Sequence, residues 1–335
     1  MPANDDWLAL TPEAPIETDI PIIDPHHHLW DRPGNRYGLE ELVADVSGHN
    51  VRQTVFIECS SMYRAGEPDE FKPVGETEYV QGIAAMSASG GFSSLRACTG
   101  IVGTADLRLG DAVVPVLEAQ CAASPNRFRG VRHRAAWPDR RTPPPGQPAA
   151  REHLLLDAEF REGFRYLREY ALSFEAWVYH PDIPDVADLA RAFPGTTIIL
   201  NHLGGPILDG EFPGTRDEIF AQWRKDISLV AQCPNVVMKV GGIQMPVNGF
   251  GWHKRERPAT SDELLAVNGP WYSHAIEAFG PDRCMFESNF PVDRASCSYN
   301  VLWNQFKKLS KGFRPDERAT MFFDTAARVY RLPLE

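Results

Sequence analysis

Apolar positions along the chain fall into short β-branched runs separated by stretches of helical spacing. The runs are residues 19–26 ("DIPIIDPH"), 52–59 ("RQTVFIEC"), 95–103 ("LRACTGIVG"), 127–133 ("RFRGVRH"), 172–180 ("LSFEAWVYH"), 196–202 ("TTIILNH"), 235–242 ("NVVMKVGG") and 283–290 ("RCMFESNF"). Each reads as a buried strand. Between them, stretches such as 39–46, 76–89, 111–124, 154–170 and 216–232 repeat apolar residues three and four apart and predict amphipathic helices. Strand and helix in alternation imply parallel strands joined by crossovers. The eight units predict an α/β fold, a (β/α)8 TIM barrel over 19–335 as one domain behind an N-terminal arm, 1–18, with a doubly wound open sheet as the alternative.

Proline and glycine gather after the second, fourth, sixth and seventh strands, giving long strand-to-helix loops of the kind that build barrel active sites. The segment 137–152 is too rich in proline for a helix, and its short length predicts a loop inside the domain.

Composition narrows the partners. The 335 residues are 43% hydrophobic and 24% charged with a formal net charge of -11, which opposes nucleic acid and leaves a small molecule as the expected partner. The acidic start "MPANDDWLAL" lacks the positive charge of a signal peptide, and no apolar stretch approaches the roughly 20 residues of a membrane span. The reading is a cytoplasmic protein with no membrane partner, and a homo- or hetero-oligomer stays open. Six cysteines without C-x-x-C spacing predict neither a zinc knuckle nor a disulfide framework.

Chemistry is concentrated at the strand ends. In "DPHHHLWD" a regular strand would turn Asp24, His26 and His28 to one face and Pro25 and His27 to the other, so His26 and His28 can grip one ion. Glu58, His180, His202 and Asn289 end the second, fifth, sixth and eighth strands. Imidazoles and carboxylates are costly in apolar strands, so their convergence on one rim points to a site.

"IIDPHHHLWD", "NHLGGP" and "RCMFESNFPVD" occur in this order and resemble the amidohydrolase superfamily, in its amidohydrolase-2 branch of lactone hydrolases and metal-dependent decarboxylases. The resemblance spans about residues 19–331. It implies that His26, His28 and His202 bind a divalent metal. The branch usually has Ser-Asp-x-Pro on strand eight, where an aspartate handles protons, but this chain has Ser288, Asn289, Phe290 and Pro291. Asparagine cannot take a proton near neutral pH, so the base is expected elsewhere. Glu58 is the first choice, before Glu287 and Asp293. Arg132 and Lys239 are the candidate ion-pair partners of Glu58 and Glu287.

The expected metal set is therefore His26, His28, His180, His202 and Glu58, with zinc first and manganese or iron as alternatives. Strand four ends in "GVRHR", without the lysine of a carboxylated-lysine centre, so one ion is the default. Glu58, Asn289 and His202 are the expected catalytic residues. Tyr63, Arg64, Arg132, Trp252 and His253 are the expected substrate contacts, with Arg64 or Arg132 suited to a substrate carboxylate. Trp177 and Tyr179 read as packing, and His27 as facing outward and bonded to backbone. His49, His133, His153 and His274 show no partner pattern. The function expected is metal-dependent hydrolysis of a lactone ester or amide. The alternatives are an iron or manganese oxygenase, a non-oxidative decarboxylase, and a non-catalytic subunit of a paired assembly.

Overall fold

The computed structural model describes residues 4–138, 143 and 145–334. Eight parallel strands form one sheet in chain order. They are β1 (Ile22–His27), β2 (Val51–Ile57), β3 (Arg96–Gly103), β4 (Phe128–Val131), β5 (Ser173–Ala176), β6 (Ile198–Leu200), β7 (Val236–Gly241) and β8 (Cys284–Glu287). The last strand meets the first: Asn289 N donates to His26 O at 2.9 Å and His28 N to Phe290 O at 2.8 Å. The predicted barrel is realised.

Outside it lie α1 (Leu39–Val46), α2 (Val74–Ala88), α3 (Val114–Ala123), α4 (Ala158–Phe164), α5 (Ile183–Ala192), α6 (Arg216–Val230), α7 (Ser261–Phe279) and α8 (Tyr299–Leu309). The helix expected over 154–170 is broken, because the Asp157 side chain accepts from Phe160 N at 2.8 Å and starts a new helix there. A hairpin, Trp30–Arg32 with Asn35–Tyr37, follows β1 and was not foreseen. The expected loop 137–152 lies partly outside the described residues, and its described part carries no helix or strand.

The two larger of three apolar clusters hold the fold. The larger fills the layer between sheet and helices. The smaller plugs one end of the barrel, where Ile23, Val55, Ile57, Val102, Ile199, Val237 and Met285 meet Ala326, Tyr330 and Leu332 of the C-terminal segment. That plug leaves the opposite, C-terminal mouth for polar groups. In the arm, Thr11 Oγ1 donates to Pro258 O at 2.9 Å, and Glu13 accepts from Ser261 N at 2.7 Å. All six cysteines are free. Among the described residues no helix is long and apolar enough to cross a membrane.

Strand parity is interrupted in β1. The register shifts between Asp24 and His27, as at a bulge. Asp24 consequently faces α8, bonded to Tyr299 Oη at 3.0 Å and Ser288 N at 3.0 Å, while His26 and His28 turn inward. The expectation that Asp24 shares their face is corrected. His27 does face outward, but its Nε2 meets a side chain, Thr54 Oγ1 at 2.8 Å.

Candidate active site

A cavity of about 900 Å³ opens at the C-terminal mouth, lined by His28, Glu58, Arg132, His202 and Asn289 among others. Five expected site residues thus meet in one place. His26 lies beneath them, fully buried, its ring centroid 5.0 Å from that of His28 and 4.5 Å from that of His202.

Below the cavity is a polar floor. On β8, Glu287 Oε1 sits 2.7 Å from His202 Nδ1 and 3.2 Å from the His202 backbone N. Its Oε2 lies 2.7 Å from His26 Nδ1, yet off the axis of a hydrogen bond, so this buried oxygen has no donor among the described residues. The turn that places His202 runs through left-handed backbone at His202 (φ 52°) and Leu203 (φ 57°). It needs Gly242, where a Cβ would fall 1.8 Å from His202 Nδ1.

The charges beside this floor do not cancel. Arg132 Nε donates to Glu58 Oε1 at 2.7 Å, and Arg132 Nη2 to Glu58 O at 2.5 Å. Lys239 Nζ donates to Glu175 Oε2 at 2.9 Å. Glu287 has only the two imidazoles within ion-pair distance among the described residues. Glu287 is thus a buried carboxylate whose near partners are two imidazoles, with Lys239 acting on it from farther off, and such a group readily accepts one more cation.

His26 is a poor source of that charge, because burial and then the nearby Lys239 push its pKa well below the ordinary imidazole value. Lys239 Nζ lies 3.2 Å from His26 Nδ1, and burial lowers the lysine too. His26, His202 and Glu287 each offer a ligand atom within 4.8 Å of the others. Two imidazoles and an undercompensated carboxylate fit a divalent ion.

The other expected ligands are placed differently. His28 Nδ1 donates to Ile57 O at 2.8 Å, which leaves Nε2 toward Asn289 Oδ1 at 3.3 Å. Asn289 Nδ2 in turn donates to Asp293 Oδ1 at 2.8 Å, and burial pushes the Asp293 carboxyl well above its usual range. His180 does not line the cavity; its Nδ1 accepts from Ile207 N at 3.3 Å, and burial pulls its pKa to about 4. Glu58 faces the cavity but is held by Arg132.

Of the expected substrate contacts, only Arg132 lines the cavity. Tyr63, Arg64, Trp252 and His253 do not; Arg64 reaches Glu78 at 2.5 Å and Trp252 stacks on Phe250. Trp252 is buried in the larger core and the Tyr63 hydroxyl is buried away from the cavity, which sequence position could not reveal. Trp177 and Tyr179, read as packing, line the cavity instead, and the Trp177 ring meets His202 edge-on with centroids 4.8 Å apart. Parity was the missed signal: Glu175, Trp177 and Tyr179 alternate along one line of the chain. Arg32, Arg134 and Gln147 also line the cavity and carried no motif. A second group, His153 with Asp182 and Asp185, lies outside the cavity.

Comparison with known proteins agrees with this architecture. The amidohydrolase family model matches residues 23–332, so the chain belongs to the amidohydrolase family. It is 33% identical over 94% of its length to the whole of the uncharacterized protein y4mH of Sinorhizobium fredii. It is 25% identical to an L-fucono-1,5-lactonase of Burkholderia multivorans, covering 93% of this chain and 96% of that one. A crystal structure of an amidohydrolase from B. multivorans with bound zinc superposes with a TM-score of 0.71 at 25% identity, covering 93% of this chain and 99% of the other. The chain is therefore an enzyme of a hydrolase family, with lactonases among its relatives.

Proposed function

We propose that the protein is a divalent-metal-dependent hydrolase that opens the ester of a small lactone carrying a carboxylate. The observation that carries the reading is the undercompensated Glu287 between His26 and His202, beneath the cavity floor. The lactonase relatives favour an ester over an amide.

A divalent ion held by His26, His202 and Glu287, with zinc first by analogy with the zinc-bound relative, would polarise the carbonyl and acidify a water. Glu58 then serves as general base. Its Oε1 is fixed by Arg132, while Oε2 meets only Gln147 Nε2 at 3.4 Å among the described residues and retains acceptor capacity toward the cavity. His28 Nε2 and Asn289 Oδ1, two acceptors side by side, orient a water or a substrate hydroxyl. The guanidinium groups of Arg32 and Arg134 supply positive charge for the substrate carboxylate. The test is acid release from a panel of carboxylated lactones, before and after chelation. Release from none of them, with metal restored, ends the reading.

One observation favours a second reading. Two imidazoles and one carboxylate also make up the ligand set of non-haem iron oxygenases. Substrate-dependent dioxygen uptake by the iron-loaded protein would support it, and its absence with lactone opening intact dismisses it.

A further inference from the structure

The cavity has two unlike arcs. Residues following β1, β2 and β4 bring Arg32, Glu58, Arg134 and Gln147 to one side. Residues following β5, β7 and β8 bring Trp177, Tyr179, Met245, Val247 and Val292 to the other, where Glu211, from the segment after β6, and Asn289 are the polar members. The first five belong to one apolar cluster, in which the Trp177 and Tyr179 rings meet at 79° with centroids 5.6 Å apart. Strand order in the barrel makes each arc nearly continuous. The apolar arc reaches the reactive centre itself, because Trp177 abuts His202.

We infer that this enzyme takes a lactone with an apolar body, aryl- or alkyl-bearing, and a carboxylate, in preference to a polyhydroxylated sugar lactone, and that Trp177 and Met245 enforce the choice. The inference rests on the lactone-hydrolase reading for the reacting bond, but on the cavity walls for the rest of the ligand. A polyol seated over His202 would turn hydroxyls toward Trp177, Met245 and Val247. Asn289 and His28 can serve one hydroxyl beside the reacting bond, but hydroxyls turned toward the side chains of Trp177, Met245 and Val247 would give up water and receive little in return. An apolar ring in the same place covers the wall without giving up hydrogen bonds to water. Its carboxylate faces the arginine arc.

Binding separates this inference from the question of turnover. Two cyclic ethers of equal ring size, each with a carboxylate and no scissile bond, serve as probes in calorimetric titration of the purified full chain. One bears an aryl group and the other is polyhydroxylated. The aryl probe is expected to bind about tenfold or more tightly, the usual reach of an apolar pocket. Trp177→Ala should bring the two within about threefold by weakening the aryl probe alone. Met245→Gln, which leaves the ring beside His202 in place, should narrow the gap as well.

Equal or tighter binding of the polyol overturns the inference. So does failure of both probes to bind, or an equal loss for both probes in both variants. Should the aryl preference hold while the matching aryl lactone is not opened, the ligand class stands and the hydrolase reading falls.

Discussion

His202 and Glu287 meet across the barrel mouth, with the imidazole Nδ1 2.7 Å from Oε1 and the His202 backbone N 3.2 Å from the same oxygen. One carboxylate oxygen therefore fixes both a ring and its backbone. The other oxygen has no donor among the described residues and lies 2.7 Å from His26. Here the two imidazoles come from β1 and the turn after β6, and the carboxylate from β8, so the arrangement exists only once the barrel has closed.

The Arg132–Glu58 pair changes what substitution of the arginine should do. Because the guanidinium holds Glu58 through both Oε1 and the backbone carbonyl, Arg132→Ala should lower kcat more than it raises KM. Glu58→Gln should cost on the order of 10² to 10⁴ in kcat, the worth of a positioned base. Steady-state kinetics on one lactone checks both. A raised KM with unchanged kcat in Arg132→Ala would return that arginine to substrate binding, and full activity in Glu58→Gln would remove the base.

Placing an aspartate at the end of strand eight should harm this chain. Asn289→Asp places a second carboxyl against Asp293 Oδ1, where an amide now donates at 2.8 Å, and both positions are buried. The lost hydrogen bond alone costs about 1–3 kcal/mol, so thermal unfolding should move down by a few degrees at neutral pH. Of two carboxyls in contact, one has a strongly raised folded-state pKa. The destabilisation should then vanish below the ordinary carboxylate range and grow as pH rises through it. A variant as stable as the parent at neutral pH contradicts this.

Barrel architecture was legible in the sequence because buried parallel strands and amphipathic helices leave different periods, and the eight apolar runs all became strands. The shared inward turn of His26 and His28 was legible through the parity of a single run. Asp24 was not, since a local register shift in β1 has no reliable mark in one sequence. The wall of Trp177 and Tyr179 was readable from the same parity rule once Glu175 is taken to point inward. Arg32, Arg134 and Gln147 come from loops whose course depends on tertiary packing. The pairing of Arg132 with Glu58, foreseen only as an alternative, joins residues 74 positions apart.

Acid stability should be governed in part by histidines kept neutral. Burial pulls His49 to about 3 and His180 to about 4 from an ordinary 6.5, and Lys307 Nζ sits 2.7 Å from His49 Nδ1. The folded protein binds these protons less well than the unfolded chain. Their contribution is complete above about 6.5 and is lost as pH falls toward 4 and then 3. Denaturant unfolding followed from pH 7 to pH 4 should show stability falling, and His49→Gln should make the slope shallower. An identical slope in the variant would contradict the assignment.

Metal content tests the account at its centre. Protein purified without chelator should carry about one divalent ion at the floor site, as expected of a resident catalytic metal. Elemental analysis of Glu287→Gln and of the His26→Ala, His202→Ala double variant should show that ion gone. Circular dichroism should remain that of the parent barrel. Fewer than about one ion per ten chains in parent protein that opens lactones at full rate would contradict the account, as would an undiminished ion in both variants.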